Sequence, residues 1–162
     1  MKPLSEQPKV ENPREFAGFT YGYNAPLFSK RVHDILTLVS FVTHDEHAPS
    51  EVALVGVDGA GPLVAAARAQ AGAMVTQAFV DTRGFRFAGL TSFRDPNFLP
   101  GAVKYGDLPG MLSLSAPHTL WVAGEAGKVP KAVRAAYAAD GKPGAVRALT
   151  GVSAAVGALI AP

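Results

Sequence analysis

Three acidic residues lie within three positions after the ends of three short apolar segments, and together they could do acid–base chemistry. They are Asp58 after Val52–Val55, Asp81 after Met74–Val80, and Glu125 after Leu120–Ala123. Such apolar runs are typical of strands buried in a parallel sheet, whose carboxyl ends meet at the edge where α/β folds bind ligands. We therefore expect the carboxylates to converge. Two of them could act as general acid and base, or all three could hold a hard cation such as Ca²⁺.

The glycine-rich segment GVDGAG, Gly56 to Gly61, connects the first of these strands to an alanine-rich helix that starts at Gly61-Pro62. With the next strand it makes a βαβ unit. Two motifs fit this turn. One is a dinucleotide fingerprint in which Asp81 binds ribose, although the order here is G-x-x-G-x-G. The other is a nucleophile elbow, G-x-nucleophile-x-G, with Asp58 in the central place and Ala60 in the last.

A hydrolytic site also needs a base, and neutral histidine is the usual one near pH 7. His33 falls within the first predicted helix, while His44, His47 and His118 precede strands. In a parallel sheet the last three belong to the edge opposite Asp58. None of the four is predicted to be catalytic.

Arg83 and Arg86 follow Asp81 closely and could neutralise it. Because structural ion pairs also perturb carboxylates, a second interpretation stays open at this point. In it, Asp81 caps its loop through a salt bridge and Glu125 lies in solvent.

The elements around these residues predict a three-layer α/β/α sandwich with a small, mainly parallel sheet. Residues 1–18 are expected to be a flexible arm, 19–150 the domain and 151–162 an apolar tail. Asn24 is expected to cap a helix whose apolar face is Val32, Ile35, Leu36, Val39 and Val42. The segment 82–118 is predicted to be a loop carrying a helix near 108–115. A helix at 131–139 and a short final strand within 145–149 follow.

Composition narrows the function classes. The net charge of +2 comes from 15 basic and 13 acidic residues dispersed along the chain, so we expect no nucleic-acid partner. The absence of cysteine excludes disulfides and thiolate metal sites. The start, MKPLSEQPKV, lacks an apolar signal region, and the apolar tail is too short for a membrane span. A cytoplasmic protein with no membrane partner is the expectation.

Three segments carry a family resemblance: TYGYNAPLFSKRVHDILTLVSFV, VALVGVDGAGPLVAAARA and FLPGAVKYGDLPGMLSLSAPHTLWVAGE. Together they resemble the second half of a bacterial α/β-hydrolase of the acetylxylan-esterase and dienelactone-hydrolase kind. The resemblance covers about residues 19–137, and LPGAVKYGDLPG is its most specific part. It implies hydrolysis of a carboxylic ester or lactone with no required cofactor.

The resemblance also implies site residues. Asp58 takes the nucleophile position, as in haloalkane dehalogenases and epoxide hydrolases, and the backbone N–H of Gly59 would be an oxyanion donor. Glu125 matches the acid that orients the catalytic histidine. Tyr21 and Tyr23 would lie near the active edge, where they line a pocket or simply pack.

The strands that precede the first helix in such hydrolases, and their histidine loop, have no counterpart in this sequence. A hydrolase-like module that binds or forms structure without catalysis is therefore the alternative. Without those strands, one side of the Val52 strand becomes an open apolar edge. The N-terminal arm could fold over this edge, or two chains could join edge to edge. We expect a homodimer, because two-fold pairing satisfies both edges at once.

Overall fold

The computed structural model describes residues 17–151 and the isolated positions Ala154 and Gly157. In this described part of the chain, four strands form one sheet: β1 (Ala53–Gly56), β2 (Gln77–Asp81), β3 (Thr119–Ala123) and β4 (Val146–Ala148). Their spatial order is β1-β2-β3-β4, and each strand pairs in parallel with the next along the chain. The predicted α/β class with a small parallel sheet is confirmed.

Within residues 17–151, five α-helices accompany the sheet: α1 (Ala17–Tyr21), α2 (Leu27–Thr43), α3 (Gly61–Ala71), α4 (Asp107–Ser113) and α5 (Lys131–Ala139). Helices α3, α4 and α5 each connect two neighbouring parallel strands. Right-handed crossovers between strands in sequential order bring all three helices to the same face of the sheet. Helix α2 packs beside α3 on that face.

The main core lies between the sheet and these helices. Alternate strand residues, among them Ala78, Val80, Leu120 and Val122, are buried against Leu112 and other helical side chains.

The intervening strand residues Phe79, Trp121 and Ala123 point to the second face, where Val57 and Leu149 pack against them. No helix within residues 17–151 contributes to this second cluster. The described helices therefore form a single layer of the predicted sandwich.

Helix α2 buries Phe28, Val32 and Val39. Of its predicted inner face, Ile35 and Leu36 are half-buried, but Val42 is wrong, because it lies on a different side of the helix and is 37% exposed. The predicted Asn24 cap is wrong. Pro26 is the N-cap residue, and the Asn24 side chain instead donates to the Thr20 carbonyl at 3.0 Å. Asn24 lies two residues too early to reach the first free N–H groups of α2.

The other boundaries differ from the predictions by a few residues. Strand β2 begins at Gln77 because Gly72–Met74 forms a 3-10 turn, and helix α5 spans the predicted residues. Helix α1 begins at Ala17, inside the predicted arm. The rest of that arm, residues 1–16, and most of the tail at 151–162 lie outside the described residues.

Candidate active site

The predicted sharp turn is present between β1 and α3. Asp58 and Gly59 both have positive φ angles, 51° and 91°, and the Ala60 N–H donates to the Val57 carbonyl at 2.9 Å. Two central residues with positive φ are the pattern of a type I′ turn. The side chain of Asp58 is 87% exposed. The turn therefore presents this carboxylate to solvent at the carboxyl edge of the sheet.

Two glycines of GVDGAG allow close packing at the base of the turn. A Cβ on Gly61 would lie 2.0 Å from the Asp81 carbonyl oxygen, and one on Gly56 would lie 2.9 Å from the Val64 Cβ. A Cβ on Gly59 would meet nothing within 4 Å. The first turn of α3 is thus pressed against the ends of β1 and β2, while the tip of the turn faces open space.

Arg83 joins two of the three predicted carboxylates. Its Nη2 donates to Asp58 Oδ1, and its Nε lies 3.7 Å from Asp81 Oδ2. Its backbone N–H also donates to Asp81 Oδ1 at 3.1 Å. The predicted neutralisation of Asp81 therefore comes from Arg83, which is itself shared with the exposed Asp58.

Glu125 is held in a separate, more buried pair. Arg86 donates to both of its oxygens, from Nη1 to Oε1 at 2.8 Å and from Nη2 to Oε2 at 2.6 Å. The Glu125 side chain is only 11% exposed, so the interpretation that places it in solvent is wrong. The predicted neutralisation of Asp81 by Arg86 is wrong. Arg86 neutralises Glu125 instead, because its guanidinium forms this bidentate pair.

The ionisation of Glu125 follows from its partners. Burial raises the pKa of this carboxyl, but hydrogen bonds from Arg86 and Thr82 outweigh burial and hold the pKa below its ordinary value. Donating to Glu125 in turn raises the pKa of Arg86. A carboxylate held in its charged form by two donors is poorly suited to accept a proton near pH 7.

Thr82 is a site residue that the sequence reasoning missed. It is buried, its Oγ1 lies 2.6 Å from Glu125 Oε1 and 3.1 Å from the Ala123 carbonyl, and its N–H donates to that carbonyl at 3.0 Å. Because the hydroxyl has one proton, it donates to one of these acceptors at a time. Thr82 thus extends the β2–β3 pairing into the loop. Its position directly after the acidic end of a strand was the available signal.

Asp107 is a second residue that was missed, within the segment LPGAVKYGDLPG. Its carboxylate accepts the backbone N–H groups of Phe87 (2.7 Å), Ala88 (3.0 Å) and Leu108 (2.6 Å). A Cβ on Gly110 would lie 2.2 Å from the Tyr105 carbonyl oxygen. The most specific part of the resemblance therefore ties the long loop after β2 to the start of α4.

The two tyrosines of the predicted pocket differ in setting. The Tyr21 hydroxyl donates to the Phe93 carbonyl at 2.5 Å, its ring lies 5.3 Å from that of Phe98, and burial raises its pKa. Tyr23 is 98% exposed. Tyr21 thus packs against the loop after β2, whereas the Tyr23 side chain is left in solvent.

In the described part of the chain, none of the four histidines pairs with Asp58, Asp81 or Glu125. His33, His44 and His47 are exposed, and His118 precedes β3 at the opposite edge. The pKa of His118 is lowered by burial and by the charge of Arg68. Within residues 17–151 no hydrogen bond or ion pair joins a histidine to Asp58, and the exclusion of a catalytic histidine stays a prediction.

No three His, Asp or Glu side chains in the described residues are grouped as metal ligands. Arginine side chains pair with each of the three edge carboxylates. The predicted Ca²⁺ site therefore gains no support from this geometry.

None of the described helices is long and apolar enough to cross a membrane.

Comparison with known proteins gives no relative. No protein-family model matches the chain, and no match was found among curated proteins or solved structures.

Proposed function

We propose that the carboxyl edge of the sheet hydrolyses a carboxylic ester or lactone, with Asp58 as the reactive carboxylate. The supporting observation is the backbone at Asp58, which has φ 51° at the tip of a sharp strand-to-helix turn. A non-glycine residue with positive φ is uncommon, and such strain concentrates at functional sites. A nucleophile elbow raises its reactive side chain in this way.

Asp58 suits the role of a base better than that of a nucleophile toward an acyl group. Direct attack on an ester would form an anhydride and expel an alkoxide, a much poorer leaving group than the carboxylate. As a base, Asp58 accepts a proton from water while the water oxygen bonds to the carbonyl carbon. The tetrahedral intermediate then breaks its bond to the alcohol oxygen, which takes up the proton held by Asp58 and leaves as the alcohol, so that the Asp58 carboxylate is regenerated.

The neighbours of Asp58 assist in this proposal. Arg83, which contacts Asp58, is placed to stabilise negative charge on the carbonyl oxygen, and the resemblance adds the N–H of Gly59 as a second donor. Asp81 holds Arg83 in position. Glu125 is a positioning residue, because Arg86 occupies both of its oxygens.

The pairing of Asp58 with Arg83 has a consequence for substrates. Arg83 already donates to Oδ1 of Asp58, so one carboxylate oxygen, a less basic group than the imidazole of histidine, is left to activate water. We therefore expect turnover of activated esters, with good leaving groups, rather than of unactivated ones.

The test is a panel of p-nitrophenyl esters and simple lactones with the wild type and Asp58→Ala. Hydrolysis is expected to fall to the uncatalysed background in the variant. Asp34→Ala is the matched control, because Asp34 is an exposed carboxylate on α2. Turnover unchanged in Asp58→Ala would remove Asp58 from the reaction.

A second candidate is a hydrolase-like module that binds or forms structure without catalysis. The observation that favours it is that Asp58, Asp81 and Glu125 are all already paired with arginines. Broad ester and lactone screening of the wild type without any turnover would support this candidate.

Nucleotide binding remains a third prediction. Its acidic residue, Asp81, already accepts the N–H of Arg83, so a ribose would have to compete for it. Titration with NAD or FAD that leaves the melting temperature unchanged would dismiss this prediction. We also propose that the protein is cytoplasmic, that it has no nucleic-acid or membrane partner and that it requires no cofactor.

A further inference from the structure

Strand β1 leaves one edge of the sheet open. Among residues 17–151 it pairs only with β2, and its Ala53 and Val55 are exposed, Val55 by 43%. An open apolar edge is a template for pairing with another chain unless it is protected. The sequence of β1, ALVG, contains no charge or proline that would protect it.

Helix α2 carries an exposed apolar flank. Leu38, Phe41 and Val42 are exposed by 65%, 70% and 37%. Successive helical residues turn by about 100°, so these three share a side distinct from the inner face formed by Phe28 and Val39.

The opposite flank of α2 faces α3 and α4 of the same chain across a cavity. Ser29, His33 and Leu36 line a cavity of about 420 Å³ together with residues of α3 and α4. The flank formed by Leu38, Phe41 and Val42 therefore faces away from α3. Because α2 packs over the β1 end of the sheet, through Val39 and the cluster that includes Leu54, this flank lies above the open edge.

We infer that a second copy of this chain docks here, with β1 pairing antiparallel to β1 of the partner and the two α2 helices side by side. A two-fold axis perpendicular to the sheet achieves both contacts at once, since it keeps the helical layers on the same face. This arrangement specifies a surface for the expected homodimer and does not depend on the proposed hydrolysis.

The charges of α2 fit this antiparallel arrangement. Lys30 lies near its start, while Asp45 and Glu46 follow its end; Lys30 and Glu46 are each eight positions from Leu38. A positive charge at the start of a helix and negative charges after its end both interact unfavourably with the dipole of that helix. An antiparallel partner centred on Leu38 brings Lys30 opposite the partner's Glu46, where unlike charges meet at both ends.

The first experiment is sedimentation velocity of the full chain from about 1 to 100 µM. The wild type should dimerise, and Phe41→Glu should raise the dissociation constant about tenfold or more. Leu114→Glu is the control, because Leu114 is 67% exposed but lines the cavity on the other side of α2. Its dissociation constant should stay within about twofold of the wild type. A monomeric wild type, or a dimer insensitive to Phe41→Glu, would overturn the inference.

The second experiment uses the absence of cysteine in the chain. Leu38→Cys should form a disulfide-linked dimer under mild oxidation, whereas Leu114→Cys should not. Lys30→Glu should weaken the dimer, and adding Glu46→Lys should restore it. Equal cross-linking of both cysteine variants, or no rescue by the charge exchange, would show that the copies meet through another surface.

Discussion

The ends of β1 and β3 present the same two charges in different settings. In the Asp58–Arg83 pair the side chains are 87% and 58% exposed, whereas in the Glu125–Arg86 pair they are 11% and 34% exposed. Water screens the first pair, and its partners can exchange readily for a ligand. The second pair is two-pronged and mostly shielded, so it fixes the loop after β2.

The two pairs therefore have different roles at this edge of the sheet: the first exposes a carboxylate to solvent, and the second holds the loop after β2 in place. Asp58 depends on backbone geometry, since close glycine contacts hold the turn beneath it. Glu125 depends on side-chain partners, Arg86 and Thr82, which attach the ends of β2 and β3 to each other. Changes to the two regions should therefore affect different properties of the protein.

The largest effect is expected at the base of the turn. In Gly61→Ala the new Cβ would lie 2.0 Å from the Asp81 carbonyl oxygen, so α3 must move away from β2. We expect a loss of about 4 kcal/mol or more in the free energy of unfolding, measured by urea denaturation. Gly59→Ala is the control, because it adds only backbone strain of about 1–3 kcal/mol at an open position. Equal losses in the two variants would refute the close-packing role.

An intermediate effect is expected at the buried pair. Glu125→Gln removes the charge that binds Arg86 and replaces one acceptor oxygen by a donor. Because bonds to charged groups are involved, the loss should be about 2 kcal/mol. Asp58→Asn should change the unfolding free energy much less, since its pair is exposed. If Asp58→Asn were the more destabilising variant, the distinction between the two pairs would fail.

The smallest effect is expected in the response to acid. The pKa of Glu125 is lower in the folded protein than its ordinary value, so the unfolded chain binds a proton more readily. The contribution of Glu125 is therefore fully present above the unfolded pKa, about 4.3, and is lost as pH falls through the folded pKa. Between about pH 6 and pH 3, the melting temperature of Glu125→Gln should fall less than that of the wild type. Parallel profiles would contradict this assignment.

Much of the fold could be predicted because its signals are local. Apolar runs located β1, β2 and β3 to within three residues, and Pro130 and Gly141 bounded α5. The caps and long-range contacts could not be predicted in the same way. Asn24 looked like a cap on spacing alone, but Pro26 starts the helix.

The candidate site shows the same limit. The positions of the strand ends correctly predicted that the three carboxylates lie at one edge, because the carboxyl ends of parallel strands meet there. Which arginine pairs with which carboxylate depends on how the loop after β2 folds. Arg86 pairs with Glu125, and Arg83 pairs with Asp58 and Asp81. Thr82 and Asp107 shape that loop through hydrogen bonds to residues 43 and 20 positions away in sequence. Short-range sequence patterns do not predict such contacts.

The three backbone N–H groups that Asp107 accepts separate the scaffold of this region from its exposed carboxylate. Replacing Asp107 would release the loop after β2 from the start of α4 and leave Asp58 itself unchanged. A loss of any turnover in such a variant would therefore report a displaced loop and not a missing reactive group.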